Sequence, residues 1–133
     1  MKTMKKTMKK TMILFITIVA LFSCSKDNVN NEVKIRLANV SQYDFQNIVV
    51  NTTTGDVSFE YLESGQKSEY KDFDKAYRYA FVELEIDGET YILQPIDYVG
   101  EALLENGNYT YQIDARDTYD DQYTRLSLTL VED

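Results

Sequence analysis

The chain has 133 residues, with 14 Lys and Arg against 22 Asp and Glu for a formal charge of −8; it contains one cysteine, no histidine and no tryptophan. Without histidine or a second cysteine, the chain has no intrachain disulfide, no Cys-His or Ser-His-Asp catalytic set and none of the common zinc sites. The acidity disfavours nucleic acid and anionic lipid surfaces, since each phosphate contact needs a cation to replace its counterions.

Residues 1–22 have the composition of a secretory signal peptide. Residues 1–11, MKTMKKTMKKT, hold five lysines and no acid, and residues 12–22, MILFITIVALF, have Thr17 as their only polar side chain. This apolar run is too short to cross a bilayer, which needs about 20 residues, but it fits a signal-peptide h-region of roughly 7 to 15 residues. Ser23 then supplies the small residue expected at a cleavage site, directly before Cys24.

Leu21, Phe22, Ser23 and Cys24 resemble the lipobox of bacterial lipoproteins, in which a leucine three places before the cysteine and a small residue just before it precede cleavage and diacylation of the thiol. The resemblance implies that residues 1–23 are removed and that lipid on Cys24 attaches the protein to a membrane. Removing the leader takes away five of the 14 basic residues and no acidic one, so the mature balance is 9 against 22, or −13.

The residues after Cys24 bear on location. No Asp follows Cys24 directly, so the usual inner-membrane retention signal is missing, and we expect an outer-membrane location. Lys26 and Asp27 resemble part of the surface-export signal of Bacteroidota lipoproteins, which leaves open whether the domain faces the surface or the periplasm. The polar residues 24–32 read as the acylated cysteine and a flexible tether, followed by one domain over residues 33–133.

Short runs with β-strand character fill the rest of the chain. Val33, Ile35 and Leu37 alternate with polar or small residues, which indicates a half-buried strand. Turn residues separate this run from others of the same kind, at 45–51, 57–62, 76–86, 89–94, 109–115 and 124–131. Seven or eight short strands without an amphipathic helix predict an all-β fold, an antiparallel two-sheet sandwich.

Asp87 and Gly88 predict a tight hairpin between two of these runs. A two-residue type I′ turn needs positive φ at both central residues, which Asp-Gly favours. Such a turn places Ile86 opposite Glu89, so that Leu84 faces Tyr91 and Val82 faces Leu93, and the apolar residues then share one face. Pro95 should end the returning strand because it has no amide to donate. Residues 96–105 could form a helical turn or an extended crossover, and Gly100, which interrupts them, favours the crossover.

Residues 107–113, GNYTYQI, are similar to the strand entry Gly-x-Tyr-x-Tyr of transthyretin-like and immunoglobulin-like extracytoplasmic domains. In layout, a lipobox followed by a compact β domain resembles the small lipoproteins of Bacteroidota. The resemblance implies export and anchoring, and it implies no activity.

An acidic stretch offers a candidate calcium site. Asp114, Asp117, Asp120 and Asp121 lie within eight residues, and calcium takes six to eight oxygen ligands. The stretch lacks the Asp-x-Asp-x-Asp-Gly spacing of an EF-hand, so a solvated hairpin tip is the alternative interpretation.

Tyr77, Tyr79 and Phe81 form a candidate binding surface. In a strand over residues 76–86 they would line the face opposite Leu84 and Ile86. They would then either pack under a second layer at one end of the strand or stand exposed as a platform for a ligand.

We expect a cell-envelope binding or structural module without catalytic activity or resident cofactor, with a protein or glycan as its partner. A periplasm-facing accessory subunit of an uptake or assembly complex is the first alternative. A hydrolase using two carboxylates is the second, and its signal has no specificity in so acidic a chain. The absence of Trp disfavours a glycan platform, because Trp is the strongest stacking surface.

Overall fold

The computed structural model describes residues 32–117 and 121–133. Within these residues, eight strands form two four-stranded sheets, with strand order β4-β1-β7-β8 in the first sheet and β3-β2-β5-β6 in the second. The described residues contain no helix, and so none that is long and apolar enough to cross a membrane. The predicted all-β two-sheet sandwich is confirmed. The strands are β1 (Val33–Asn39), β2 (Phe45–Asn51), β3 (Asp56–Leu62), β4 (Lys71–Phe73), β5 (Phe81–Ile86), β6 (Glu89–Leu93), β7 (Gly107–Ala115) and β8 (Leu126–Glu132).

One strand pair departs from the antiparallel pattern expected from the sequence. β1 and β7 run parallel, from Val33 opposite Gly107 to Asn39 opposite Ile113, whereas the other pairs of both sheets are antiparallel. Parallel neighbours need a long connection, and residues 40–106 provide it. Side chains alternate between the two faces of a strand whether its neighbour runs parallel or antiparallel. The sequence pattern therefore cannot predict that β1 and β7 run parallel.

The predicted hairpin is confirmed in its register. Ile86 lies opposite Glu89, Leu84 opposite Tyr91 and Val82 opposite Leu93. The turn residues Asp87 and Gly88 have φ of 52° and 81°. The returning strand ends at Leu93, before Pro95, and residues 96–105 form no strand, as expected.

Three local features differ from the prediction or go beyond it. The run expected to be a strand over 76–86 is one only from Phe81 onward, and the short strand β4 was not predicted. In β2, a bulge at Asn47, which has a φ of 47°, shifts the register against β3 and β5. The bulge lets both Phe45 and Ile48 face the core, which strict alternation would forbid.

The core lies between the two sheets and is built from the inward-facing residues of both. One side of the sandwich is closed by the edge strands β3 and β4: the Lys71 ammonium donates to the carbonyl of Ser58 at 2.6 Å, and the rings of Phe59 and Phe73 stack at 6.4 Å. The opposite side is bordered by the edge strands β6 and β8. The buried residues include Val33, Ile35, Leu37, Val82, Leu84, Ile86, Tyr109, Tyr111 and Ile113.

Candidate functional site

A groove open to solvent lies on the side of the sandwich that β6 and β8 border. It consists of two adjoining cavities of about 440 and 300 Å³, which share Glu101. Leu126, Leu128 and Leu130 of β8 line one side of it, and Tyr79 with residues 93–97 and 101–105 lines the other. We call this feature the β8 groove.

The β8 groove is apolar over much of its length. Leu126 is buried, and Leu128 and Leu130 are half-buried, so their row forms a floor that continues the core outward. On the opposite wall Ile96 is fully exposed and Leu103 is 51% exposed. Neighbouring apolar side chains that remain exposed on a folded protein commonly mark a site of interaction.

The rim of the β8 groove is acidic. Asp97 and Glu101 line the larger cavity, and Glu105 and Glu132 line the smaller one together with Arg78. The lining of the groove therefore carries four carboxylates and one guanidinium. An occupant with apolar side chains and positive charge would match both properties of the groove.

The three aromatic residues predicted to form a binding surface do not lie on one strand, because β5 begins only at Phe81. Tyr77 is half-buried with its ring 4.8 Å from that of Tyr98, and Phe81 is half-buried at the start of β5. Tyr79 is 45% exposed and lines the β8 groove. Of the three, Tyr79 is therefore the residue that the structure places at a candidate site.

Each predicted calcium ligand that the structure describes accepts a hydrogen bond from a different protein group. Asp114 accepts a hydrogen bond from the amide of Ala115 at 2.9 Å, Asp117 accepts one from the hydroxyl of Tyr43, and Asp121 accepts one from the amide of Tyr123 at 3.0 Å. Asp120 and Cys24 lie outside the described residues. Within residues 32–117 and 121–133, no group of three acidic residues is arranged to hold a metal ion. Calcium binding stays a prediction.

An arginine packs between two tyrosine rings beside this acidic stretch. The Arg125 guanidinium lies 4.6 Å from the ring centroids of both Tyr43 and Tyr91, within the range of cation–π attraction. The hydrogen bond to Asp117 raises the pKa of the Tyr43 hydroxyl, because it favours the protonated phenol. These contacts fix the residues that precede β8.

A second polar cluster joins β1, β7 and the residue after β8. The Asp133 carboxylate accepts hydrogen bonds from Tyr70 at 2.6 Å and from Thr110 at 2.7 Å, and lies 3.6 Å from the Arg36 guanidinium. Burial alone would raise the pKa of the Asp133 carboxyl, but these hydrogen bonds and the positive charge of Arg36 hold it below its usual value. The cluster is satisfied internally and has a structural role.

No protein-family model matches the sequence, and no curated protein gives a significant match. Among solved structures, the chain is similar to an NMR structure of a protein from Eubacterium rectale, with a TM-score of 0.50 and 17% sequence identity. The similarity covers 81% of this chain and 94% of the other. At this identity it supports the fold alone.

The β8 groove was not predicted from the sequence, although two signals point to it in retrospect. Ile96, Val99 and Leu103 are apolar residues in a segment without strand or helix periodicity, so they had no evident core to join. Residues 126–131 hold no charge and no proline, which is unusual for a strand that ends up at the edge of a sheet.

Proposed function

We propose that this protein is a lipid-anchored binding module of the bacterial outer membrane, without catalytic activity, that holds a protein partner in the β8 groove. The observation that carries the proposal is the apolar floor of Leu126, Leu128 and Leu130 with the exposed Ile96 and Leu103 facing it. The proposed sandwich type is immunoglobulin-like or transthyretin-like. This type is supported by the two four-stranded sheets and by the pairing of β2 with β5, which are separated in sequence by β3 and β4.

A protein partner fits the groove better than a glycan. Carbohydrate sites usually present aromatic faces for stacking, whereas the lining of the β8 groove contains aliphatic side chains, with Tyr79 and Tyr109 as its aromatic residues. An aliphatic floor gains most from covering by apolar side chains of another polypeptide. Catalysis is disfavoured by the chain's lack of histidine and of a cysteine other than Cys24, which leaves carboxylates, hydroxyls, lysine and arginine for chemistry.

Anchoring rests on the sequence of residues 1–28. The basic and apolar leader, Ser23 at the cleavage position and Cys24 directly behind it support attachment through lipid on Cys24. Metabolic labelling with an alkyne fatty acid tests this: wild-type protein should be labelled and Cys24→Ala should not. Protease shaving of intact cells that carry an epitope after Asp133 then determines the side of the membrane, since loss of the epitope places the domain outside and survival places it in the periplasm.

Site-specific photocrosslinking in cells tests binding in the groove. A photoreactive phenylalanine analogue replaces Tyr79, which lines the β8 groove, or Tyr61, which is 48% exposed on the edge strand β3 and serves as the matched control. We expect a discrete adduct from position 79 that is absent at position 61 and is lost when Leu128→Lys places a charge on the groove floor. Equal labelling at both positions, or labelling that Leu128→Lys leaves unchanged, would contradict groove binding.

A further inference from the structure

Among the residues that the structure describes, the backbone of β8 has no strand partner on one side. Its hydrogen bonds show which residues face that side. At one end of the β7–β8 ladder the Arg116 amide donates to the carbonyl of Arg125 at 2.9 Å, and at the other the Asp133 amide donates to the carbonyl of Asn108 at 3.0 Å. Hydrogen-bonded and non-hydrogen-bonded pairs alternate along an antiparallel ladder. Residues 127, 129 and 131 therefore bond to β7, and the N–H and C=O groups that turn outward are those of Leu126, Leu128, Leu130 and Glu132.

The same alternation can be checked on β6. The hairpin makes Ile86 and Glu89 a hydrogen-bonded pair, so Thr90 and Ile92 should turn their backbone groups away from β5. The Ile92 amide does donate outward, to the carbonyl of Gln122 at 2.8 Å. The outer edge of β6 is thus partly paired by the backbone of Gln122. The outer edge of β3 is partly paired in the same way, because the Lys71 ammonium donates to the carbonyl of Ser58.

β8 lacks the features that usually protect an edge strand. Natural edges are shortened, bent by bulges, or marked by lysine or proline. β8 extends over seven residues without a register shift against β7, and neither lysine nor proline occurs in it. Within the described residues, no hydrogen bond is found on the outward amides of Leu128 and Leu130. The same two residues supply the floor of the β8 groove.

We propose that an extended, basic segment of a partner protein adds to β8 as a fifth strand of the first sheet. Its backbone pairs with the outward N–H and C=O groups of Leu128 and Leu130, alternate apolar side chains cover the leucine floor, and flanking cationic residues meet the carboxylates of the rim. At about 3.3 Å per residue, the floor from Leu126 to Leu130 is matched by about five residues of partner strand. This inference rests on the proposed function and names the form of the occupant.

Charge selects this occupant over a second copy of the chain. Asp97, Glu101, Glu105 and Glu132 line the groove against Arg78, so a cationic segment gains attraction there. Two mature chains would each bring a formal charge of −13, and they would oppose acidic rims to each other. Covering the exposed Ile96 and Leu103 is favourable for either occupant, so the charge decides between them.

Peptide titrations followed by NMR test the inference on the full lipidated chain in detergent micelles. The probe is the acetylated and amidated peptide KVTVTVK, whose valines share one face of a strand. We expect it to slow hydrogen exchange at the amides of Leu128 and Leu130 by at least tenfold at saturation. Replacing both lysines by glutamate should weaken binding at least tenfold, and equal binding of that analogue would overturn the charge argument.

Two backbone-methylated versions of the probe separate strand addition from groove binding in general. Alternate amides of a strand point to opposite sides, so N-methylation of the valines or of the threonines should abolish binding in one case and leave it within about threefold in the other. If both methylated peptides bind like the parent and shift only Tyr79 and Leu103, the proposed function stands and strand addition falls. If no residue of the groove shifts, both fall. If the Leu128 amide is protected from hydrogen exchange without peptide, and this protection rises with protein concentration, a second copy of the chain occupies the edge and the proposal is refuted.

Discussion

Asn39 is the position at which one substitution should most affect the joining of the two sheets. Its side chain is 1% exposed and lies at the end of β1, in the first sheet. The amide donates to the carbonyls of Tyr43 at 2.6 Å and Leu62 at 3.0 Å, and its oxygen accepts from the amide of Ser41 at 3.0 Å and from the Ser41 hydroxyl at 2.6 Å. Leu62 ends β3 of the second sheet, so Asn39 ties the sheets together at this end.

The magnitude follows from the groups that Asn39→Ala leaves without a partner. The Leu62 carbonyl and the Ser41 amide each lose a buried hydrogen bond, whereas the Tyr43 carbonyl still accepts one from the Ser41 hydroxyl at 3.1 Å. At about 1 kcal/mol for each of the two groups, the free energy of unfolding should fall by about 2 kcal/mol. For a domain of this size that corresponds to roughly 10 °C in the melting temperature. Asn39→Asp keeps the acceptor and the volume but donates nothing when ionised, so it should cost at least as much at pH 7.

Urea titration by circular dichroism measures these losses, with Asn51→Ala as the matched control. Asn51, at the end of β2, also makes two side-chain hydrogen bonds, to Asp56 at 2.8 Å and from the amide of Thr53 at 2.7 Å, but both bonds are exposed and water can replace them. Its loss should stay below about 1 kcal/mol. Asn39→Ala losing no more than Asn51→Ala would refute the reasoning, because it would mean that burial of the network contributes nothing.

Three further outcomes are expected. Tyr111→Phe should lower the free energy of unfolding by about 1 to 2 kcal/mol, since its buried hydroxyl donates to a backbone carbonyl at 2.6 Å. Tyr123→Phe, at a side chain that is 60% exposed, should change it by less than about 0.5 kcal/mol, and equal losses in urea would contradict this. Arg125→Met should cost about 1 to 2 kcal/mol, because the guanidinium contacts two tyrosine rings; an unchanged thermal melt would count against those contacts. The lowered pKa of Asp133 means that its stabilising effect is complete above its unfolded value of about 3.9 and is lost as the pH falls through the lower folded value. Asp133→Asn should therefore lose stability at pH 7 and flatten the acid limb of a stability profile, and superimposable profiles would rule this out.

The sequence predicted those parts of the fold that depend on neighbours along the chain. The hairpin at Asp87 and Gly88 is an example, since two turn residues fix the register and the alternation of Val82, Leu84 and Ile86 fixes the buried face. The break at Pro95 is another, because the missing amide acts at that residue wherever the strand lies. Such features need no knowledge of the rest of the molecule.

Predictions failed where a residue's partner lies far away in the chain. The run 76–80 alternates like a strand, yet Ala76 and Ala80 are buried in a segment whose Tyr77 carbonyl accepts from Tyr111 and whose Ala76 carbonyl accepts from Leu104. These contacts replace the ladder that a strand would need. The three residues of β4 gave too short a pattern to recognise, and they pair with β1 alone.

The candidate site shows the same division. The sequence by itself determined that residues 126–131 would be an uncharged, alternating strand, that the chain is acidic, and that Cys24 follows a basic and then an apolar stretch. Only the tertiary structure decided that β8 lies at an edge, that residues 93–97 and 101–105 face it across a groove, and that Tyr79 joins this groove while Tyr77 and Phe81 do not. Side-chain alternation reports which face of a strand is buried, whereas the order of strands in a sheet is set by contacts between distant segments.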